Sequence, residues 1–305
     1  MDRNYDNLYA VTVGFFDGVH AGHRYLVDEL KEIAAERGLK SQIVTFTEHP
    51  RQVIQSDYKP LLLSSPEDKL RMLDNTGVDL CTALHFDTQM AMMDAETFMR
   101  KVLYERLGAR CLLMGHDHKF GHDNIPDLNI YRRIGENIGI EVIQANAFIW
   151  NGRPVSSSRI RTCLSSGEVA DATKMLGYYY TLKGTVVHGL KNGRKMGFPT
   201  ANLGPYCELM QIPANGVYAA LASVQGETFK SMLNIGYRPT LNGDVTTRTI
   251  EAHLLDFNRD IYGEELSLSI VDYLRPERRF DSLQALSAQL AKDRDTISQI
   301  LSRQL

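Results

Sequence analysis

Gly14-Phe15-Phe16-Asp17-Gly18-Val19-His20-Ala21-Gly22-His23 lies where an apolar run, 8–13, gives way to a helix-patterned run, 24–37. Glycines and two histidines therefore sit at a strand-to-helix turn. Backbone N–H groups at such a turn, with a helix N-terminus behind them, form a site for phosphate oxygens. Two imidazoles three positions apart fall on one side of the first helical turn and can reach one phosphate together. The stretch reads as a place that stabilises negative charge.

The residues that follow repeat one pattern as far as about Ala145. A helical stretch ends at a glycine (Gly38, Gly77, Gly108, Gly139), and an apolar run follows almost at once: 41–46, 80–86, 110–114 and 141–145. Glycine suits the left-handed conformation that closes a helix, and a run apolar on both faces suits a strand covered on both sides. Helix faces agree, with Leu26, Leu30 and Ile33, and later Tyr131, Ile134 and Ile138, at helical intervals. The expected architecture is a doubly wound, Rossmann-like parallel α/β sheet that binds ligands beyond the carboxyl ends of its strands.

Three further polar segments fall near those ends: 45–50, 114–123 and 155–161. The run Ser156-Ser157-Ser158 followed by Arg159 and Arg161 reads either as a helix N-cap or as donors to phosphate oxygens. His116, His118 and His122 with Asp117 and Asp123 match no standard metal spacing, and a polar ligand-facing loop is the better expectation. One helix is expected over 160–176.

The chain has 305 residues, enough for two domains, with 43% hydrophobic and 23% charged content, as in a soluble globular protein. Its 34 Lys and Arg against 37 Asp and Glu give a net charge of −3, so nothing global advertises a nucleic-acid or membrane partner. Cys81, Cys111, Cys163 and Cys207 are widely separated, which argues for isolated thiols in a reducing compartment, and a cytoplasmic protein is expected. The first residues carry charge before any apolar run, and no run approaches membrane-spanning length. Oligomerisation is possible but nothing predicts it.

The order G-F-F-D-G-V-H-x-G-H, then M-G-x-D-x-K-F-G, then S-S-S-x-I-R resembles the adenylyltransferase half of the bacterial bifunctional riboflavin kinase/FAD synthetases. The resemblance implies that His20 and His23 hold the triphosphate and stabilise the transition state at the α-phosphorus, and that Ser157, Ser158 and Arg161 bind the outer phosphates. Gly14, Phe15 and Asp17 join the ligand-binding set, and Asp117 and Phe120 are expected beside the flavin. The chain departs from the family at His118, where an aromatic residue is usual, and at Glu48, where proline is common.

From about Gly184 helical periodicity disappears until Ser282, and short alternating runs take over: 184–188, 216–224, 228–235, 247–255 and 265–274, with a hairpin turn at Gln225-Gly226. A small antiparallel β-barrel is expected, followed by a helix capped by Asp281 that packs Leu283, Leu286, Leu290, Ile297 and Leu301. The domains are then 1–183 and 184–305. Gly189, Gly193 and Gly197 with three basic residues make either a solvated loop or a phosphate-approaching one. Glu251 shares a strand face with Thr249 and His253, turned either to solvent or into a pocket where it can take a proton from an attacking hydroxyl.

This half resembles riboflavin kinase through G-R-x-x-G-F-P-T-A-N-L (from Gly193), N-I-G-x-R-P-T (from Asn234), E-x-H-L-L-D-F (from Glu251) and L-R-P-E-R-x-F-D-S-L (from Leu274). The resemblance implies that Thr200 and Asn202 share a Mg²⁺ bridging the phosphates of ATP, that Glu251 is the general base, and that Gly189, Gly197 and Arg238 contact ligand. Phosphorylation of riboflavin to FMN by the second half and adenylylation of FMN to FAD by the first is the expected chemistry. A nucleotidyltransferase for another phosphorylated metabolite, with a regulatory barrel, is the competing enzyme. A non-catalytic flavin-binding or nucleic-acid-binding protein is the alternative from another class.

Overall fold

Residues of the central strands alternate between two apolar cores, and this fixes the first half of the molecule. The computed structural model describes residues 8–302 apart from 56, 117, 124, 126, 190–192, 194–195, 205–208 and 240–245, and apart from the side chains of 238–239 and 246–247. Strands β1 (Tyr9–Val13), β2 (Lys40–Phe46), β3 (Leu80–Leu84), β4 (Ala109–Met114) and β5 (Glu141–Gln144) are parallel, in the order β3-β2-β1-β4-β5. Val11, Val13, Val44, Phe46, Leu112 and Met114 enter one core, and Ala10, Ile43, Cys111 and Leu113 the other. Burial on both faces is the reason these strands lack polar alternation in sequence.

Helices α1 (Ala21–Glu36), α2 (Pro50–Ile54), α3 (Pro66–Asp74), α4 (Thr88–Ala91), α5 (Ala95–Thr97) and α6 (Leu128–Ile138) connect the strands, α5 running into a π-helical segment, Phe98–Arg106. Gly38, Gly77, Gly108 and Gly139 all adopt positive φ, as expected of residues that close helices. The order reverses at β1, between β2 and β4, so the segments leaving β1 and β4 flank the point where open parallel sheets bind ligands. A short hairpin, β6 (Ile149–Trp150) and β7 (Arg153–Pro154), follows β5.

The chain folds as two compact units, Met1–Ser157 and Ser158–Leu305. The helix expected over 160–176 is two helices, α7 (Ser157–Ser166) and α8 (Val169–Leu176), because Gly167 turns to φ +80° between them. From Ser158 onward both belong to the second unit: Gln211 Nε2 donates to Ser165 Oγ (3.2 Å), Ala214 N to Leu164 O (2.9 Å), and α8 packs on the barrel. The 183/184 boundary read from sequence falls inside strand β8 (Tyr180–Val187).

In the second unit β8, β9 (Ala201–Leu203), β10 (Gly216–Val224), β11 (Glu227–Pro239), β12 (Thr246–Leu254) and β13 (Glu265–Arg275) form a closed antiparallel barrel, order β10-β11-β12-β9-β8-β13. Gln225 and Gly226 both take positive φ, as a tight type I′ hairpin requires. The C-terminal helix α9 (Leu283–Leu301) buries Ile297 and Leu301 against Val217, Ala219, Met232 and Val271 on the barrel's outer face. Two details differ from the sequence expectation. Ser282, not Asp281, is the N-cap, its Oγ accepting from Ala285 N (3.1 Å), and that start leaves Leu283 exposed instead of packed.

Candidate active sites

The turn after β1 is held in an unusual conformation. Phe16 (φ 57°), Gly18 (φ 72°) and Val19 (φ 35°) all lie in the positive-φ region, which a bulky or β-branched residue enters only at a cost of about 1–3 kcal/mol. The neighbourhood enforces it. Asp17 Oδ1 accepts from Leu63 N (2.8 Å), Gly18 N donates to Ser64 Oγ (3.1 Å), and the Asp17 carbonyl accepts from Ser157 Oγ (3.2 Å). Asp17 is therefore a buried brace of the turn. At Gly14 the Phe16 ring occupies the space a Cβ would approach.

The turn delivers the two histidines to one place. His20 caps α1, its Nδ1 accepting from His23 N (3.2 Å), which leaves the ring proton on Nε2. The two imidazoles stack with centroids 3.5 Å apart and planes 13° apart. Burial pushes the His23 pKa well below 6.5, and His20, His118 and Arg24 lower it further, so the His23 ring is neutral at neutral pH. Its Nδ1 is buried with no hydrogen-bond partner among the described residues, a state that costs free energy until a ligand arrives. Gly22 gives the His20 ring room, since a Cβ would come within 3.2 Å of it.

The segment after β4 brings His118 close enough to influence His23 electrostatically. Phe120 is fixed by Tyr131, whose hydroxyl donates to Phe120 O (2.7 Å) and accepts from Phe120 N (3.1 Å). Sequence reasoning treated Tyr131 only as a helix-face residue. Asp117 lies outside the described residues, and no group of three or more His, Cys, Asp or Glu among the described residues is arranged for a metal. Phe15 packs between functional segments, its ring 4.6 Å from the His49 ring. Ser158 and Arg161 lie near the start of α7, in the second unit. Glu48 uses its carboxylate to join strand ends, accepting from Phe86 N (3.2 Å) and pairing with His85 Nδ1 (2.9 Å).

The second site is built on strand register. Glu251 on β12 stands opposite Asn202 of β9 on one side and Asn234 of β11 on the other. Thr200 Oγ1 donates to Glu251 Oε2 across 3.5 Å. Ile250 and Ala252 point into the barrel core, so the alternation turns Glu251 and His253 outward, as expected. There they line a cavity of about 340 Å³ with Thr200, Phe198, Arg275 and Leu290. His253 Nδ1 donates to Pro199 O (2.7 Å), anchoring the segment that carries Thr200, and burial lowers its pKa.

Thr200 also lines a second, more polar cavity of about 480 Å³, walled by 257–262. Thr200 thus lines both cavities, beside Glu251, which lines the first, and Asn202 is paired with Glu251 in strand register. A Cβ on Gly189 would collide with the Asn202 carboxamide, so the glycine keeps that oxygen-bearing group free of steric cover. Gly197 takes φ +80° beside this segment. Arg238 lies on β11 with its side chain outside the description. Strand β9 itself, which carries Asn202, was not anticipated from sequence.

A parallel sheet with a histidine pair at a helix N-terminus, and a barrel with a carboxylate beside Thr and Asn, give the chain two candidate centres, and the families it matches make it a transferase. The FAD synthetase family matches residues 2–159 and the riboflavin kinase family residues 176–301. Bifunctional riboflavin kinase/FMN adenylyltransferases from Listeria monocytogenes and Escherichia coli are 37% and 34% identical, each over 93% of this chain and 89% and 90% of their own. The Bacillus subtilis protein of that name is 33% identical. A crystal structure from Streptococcus pneumoniae, described as a macrolide-efflux protein, superposes with TM-score 0.84 at 32% identity, covering 95% of this chain and 94% of its own. The chain belongs to the bifunctional riboflavin kinase/FMN adenylyltransferase family.

Proposed function

We propose that this protein makes FAD from riboflavin in two phosphate transfers, FMN being the product of the first and the substrate of the second. The observation that carries the kinase assignment is Thr200, lining both cavities, hydrogen-bonded to Glu251, whose strand partner is Asn202. The largely apolar cavity suits the flavin ring, and the polar one suits the nucleotide. Glu251 takes the proton from the terminal ribityl hydroxyl as that oxygen attacks the γ-phosphorus of ATP, the bond from that phosphorus to the bridging oxygen breaks, and ADP leaves.

Thr200 and Asn202 fit a Mg²⁺: both offer neutral oxygen, Gly189 leaves the Asn202 group clear, and Mg²⁺ is characteristically held by few protein oxygens together with substrate phosphates. Bound there, the ion supplies neutralisation of phosphate charge. The chain's own work is to orient the hydroxyl toward Glu251 and to hold the reactants in line.

In the first unit the FMN phosphate attacks the α-phosphorus of a second ATP and pyrophosphate leaves. A phosphate monoester is already an anionic nucleophile, so the site needs donors instead of a base. His20 offers its Nε2 proton, and the α1 N-terminus and the turn offer backbone N–H groups. Ser157, Ser158 and Arg161 as phosphate ligands rest on the sequence resemblance. In this division adenylyl transfer belongs to 1–183 and phosphoryl transfer to 184–305. A cytoplasmic setting is part of the proposal, supported by the free thiols of Cys81, Cys111 and Cys163. Chromatography after mixing the protein with riboflavin, ATP and Mg²⁺ tests it: FMN and then FAD are expected, and a lack of FMN overturns it.

A further inference from the structure

Lys69, on α3, is 2% exposed. Burying an ammonium costs several kcal/mol unless its surroundings compensate, and an apolar side chain of similar length would fill the same slot without that cost. The compensation here is specific. Lys69 Nζ donates to the Phe46 carbonyl at 2.7 Å and lies 3.8 Å from the centroid of the Phe15 ring, a cation–π geometry. The Asp17 and Glu48 carboxylates and the Cys81 sulfur act on it electrostatically, from the histidine turn, the segment after β2, and β3.

Both direct partners belong to the site. Phe46 is the last residue of β2, immediately before the segment ending in His49, and Phe15 lies within the histidine turn. The segment leading into α3 grips the same turn twice more, through Leu63 N on Asp17 and Ser64 Oγ on Gly18. Thr45 Oγ1 adds a bond from β2 to the Phe15 carbonyl (3.2 Å). The ammonium thus ties the carboxyl ends of β1 and β2 together beneath a turn whose backbone is strained and must be held.

We propose that Lys69 is a positioning residue of the adenylyltransferase centre, its buried charge fixing Phe15 and the end of β2 so that His20 and His23 meet the nucleotide in register. The proposal rests on the assignment of adenylyl transfer to the first unit. It has a signature that mere packing lacks. Burial brings the Lys69 pKa down to about 8, so the charge is present below that pH and lost as pH rises through it. Cys81 and Cys111, also in this unit, are pushed up to about 11 and leave that window clear.

The test is FAD formation from supplied FMN and ATP by the full chain, from about pH 6.5 to about pH 9.5, with FMN formation from riboflavin followed in the same preparation. The wild type is expected to lose tenfold or more in kcat as pH rises through about 8. Lys69→Met keeps the bulk and removes the charge. It is expected to sit at the low alkaline level at every pH, with kinase activity unchanged. Phe15→Leu keeps the lysine but removes the ring that favours its charged form, and is expected to move the alkaline limb to lower pH. A flat wild-type profile overturns the proposal whether or not Lys69→Met folds, as does a Lys69→Met protein that keeps the limb. A wild type that makes FMN but no FAD at any pH overturns the underlying assignment instead.

Discussion

His20 and His23 stack at 3.5 Å, and that contact forbids both rings from being protonated in the free protein. Like charges at this distance, in a buried setting, drive a proton off one of them. The His23 pKa is accordingly held well below 6.5, first by burial and then by His20, so its ring signals should show no titration as pH falls through 6.5. A triphosphate reverses the balance by favouring the charged form. Binding of a non-hydrolysable ATP analogue to the first unit should take up a proton and tighten as pH falls, measured by calorimetry in buffers of different ionisation enthalpy. The same shift links to stability: below the unfolded pKa of about 6.5 the unfolded chain binds the extra proton, so His23's contribution is full above that pH and declines as pH falls. Proton release on binding would contradict the assignment.

One reaction per unit leads to a reciprocal pair of losses. His20→Ala with His23→Ala removes the donors proposed for the α-phosphorus, each loss costing about 3 kcal/mol in the barrier, so FAD formation should fall more than a hundredfold while FMN formation persists. Glu251→Gln should do the reverse, abolishing riboflavin phosphorylation and sparing FAD formation from supplied FMN. Loss of both activities from either variant in a folded protein would break the division of labour.

Gly22 allows a sharper steric test. A Cβ at that position would sit 3.2 Å from two atoms of the His20 ring and 3.5 Å from the Val155 carbonyl, so the ring must move by a few tenths of an ångström. Gly22 does not need a positive φ, and alanine favours a helix, so Gly22→Ala should leave the melting temperature nearly unchanged. Its kcat for adenylyl transfer should drop on the order of tenfold, because small displacements of catalytic groups are costly. A large fall in melting temperature with normal kcat would mean that the glycine serves packing alone.

How much of this was legible beforehand differs between the two units for physical reasons. In the sheet, strands covered on both faces and helices closed by glycine leave strong local signals, so all five strands were expected within two residues of their ends. The break at Gly167 was missed because apolar spacing continues across it while a single residue turns the chain. Strand β9 escaped notice because three residues are too few to show alternation, yet pairing with β12 makes Asn202 the neighbour of Glu251. Lys69 carries no local signal. It follows Glu67 and Asp68 in an amphipathic helix and reads as a solvated cation until the tertiary fold closes Phe15 and Phe46 over it.

The last prediction concerns the helix that closes the kinase cavity. Asp293 on α9 is 3% exposed and holds the Arg275 guanidinium through Nε (3.0 and 3.1 Å) and Nη2 (2.6 Å), while Gln289 Nε2 donates to Oδ1 (2.7 Å). Arg275 also lines the cavity that Glu251 faces, so one ion pair couples helix docking to pocket shape. Asp293→Ala strands a largely buried cation and should destabilise the barrel by about 3–5 kcal/mol, seen as a lower melting transition. Asp293→Asn keeps the hydrogen-bonding shape and should lose less. In Asp293→Asn the KM for riboflavin should rise more than kcat falls, because the pocket wall loosens while Glu251 and Thr200 stay in place, and FAD formation from supplied FMN should not change. Equal falls in kcat and in FAD formation would instead mark Asp293 as a general stabiliser with no part in shaping the cavity that Glu251 faces.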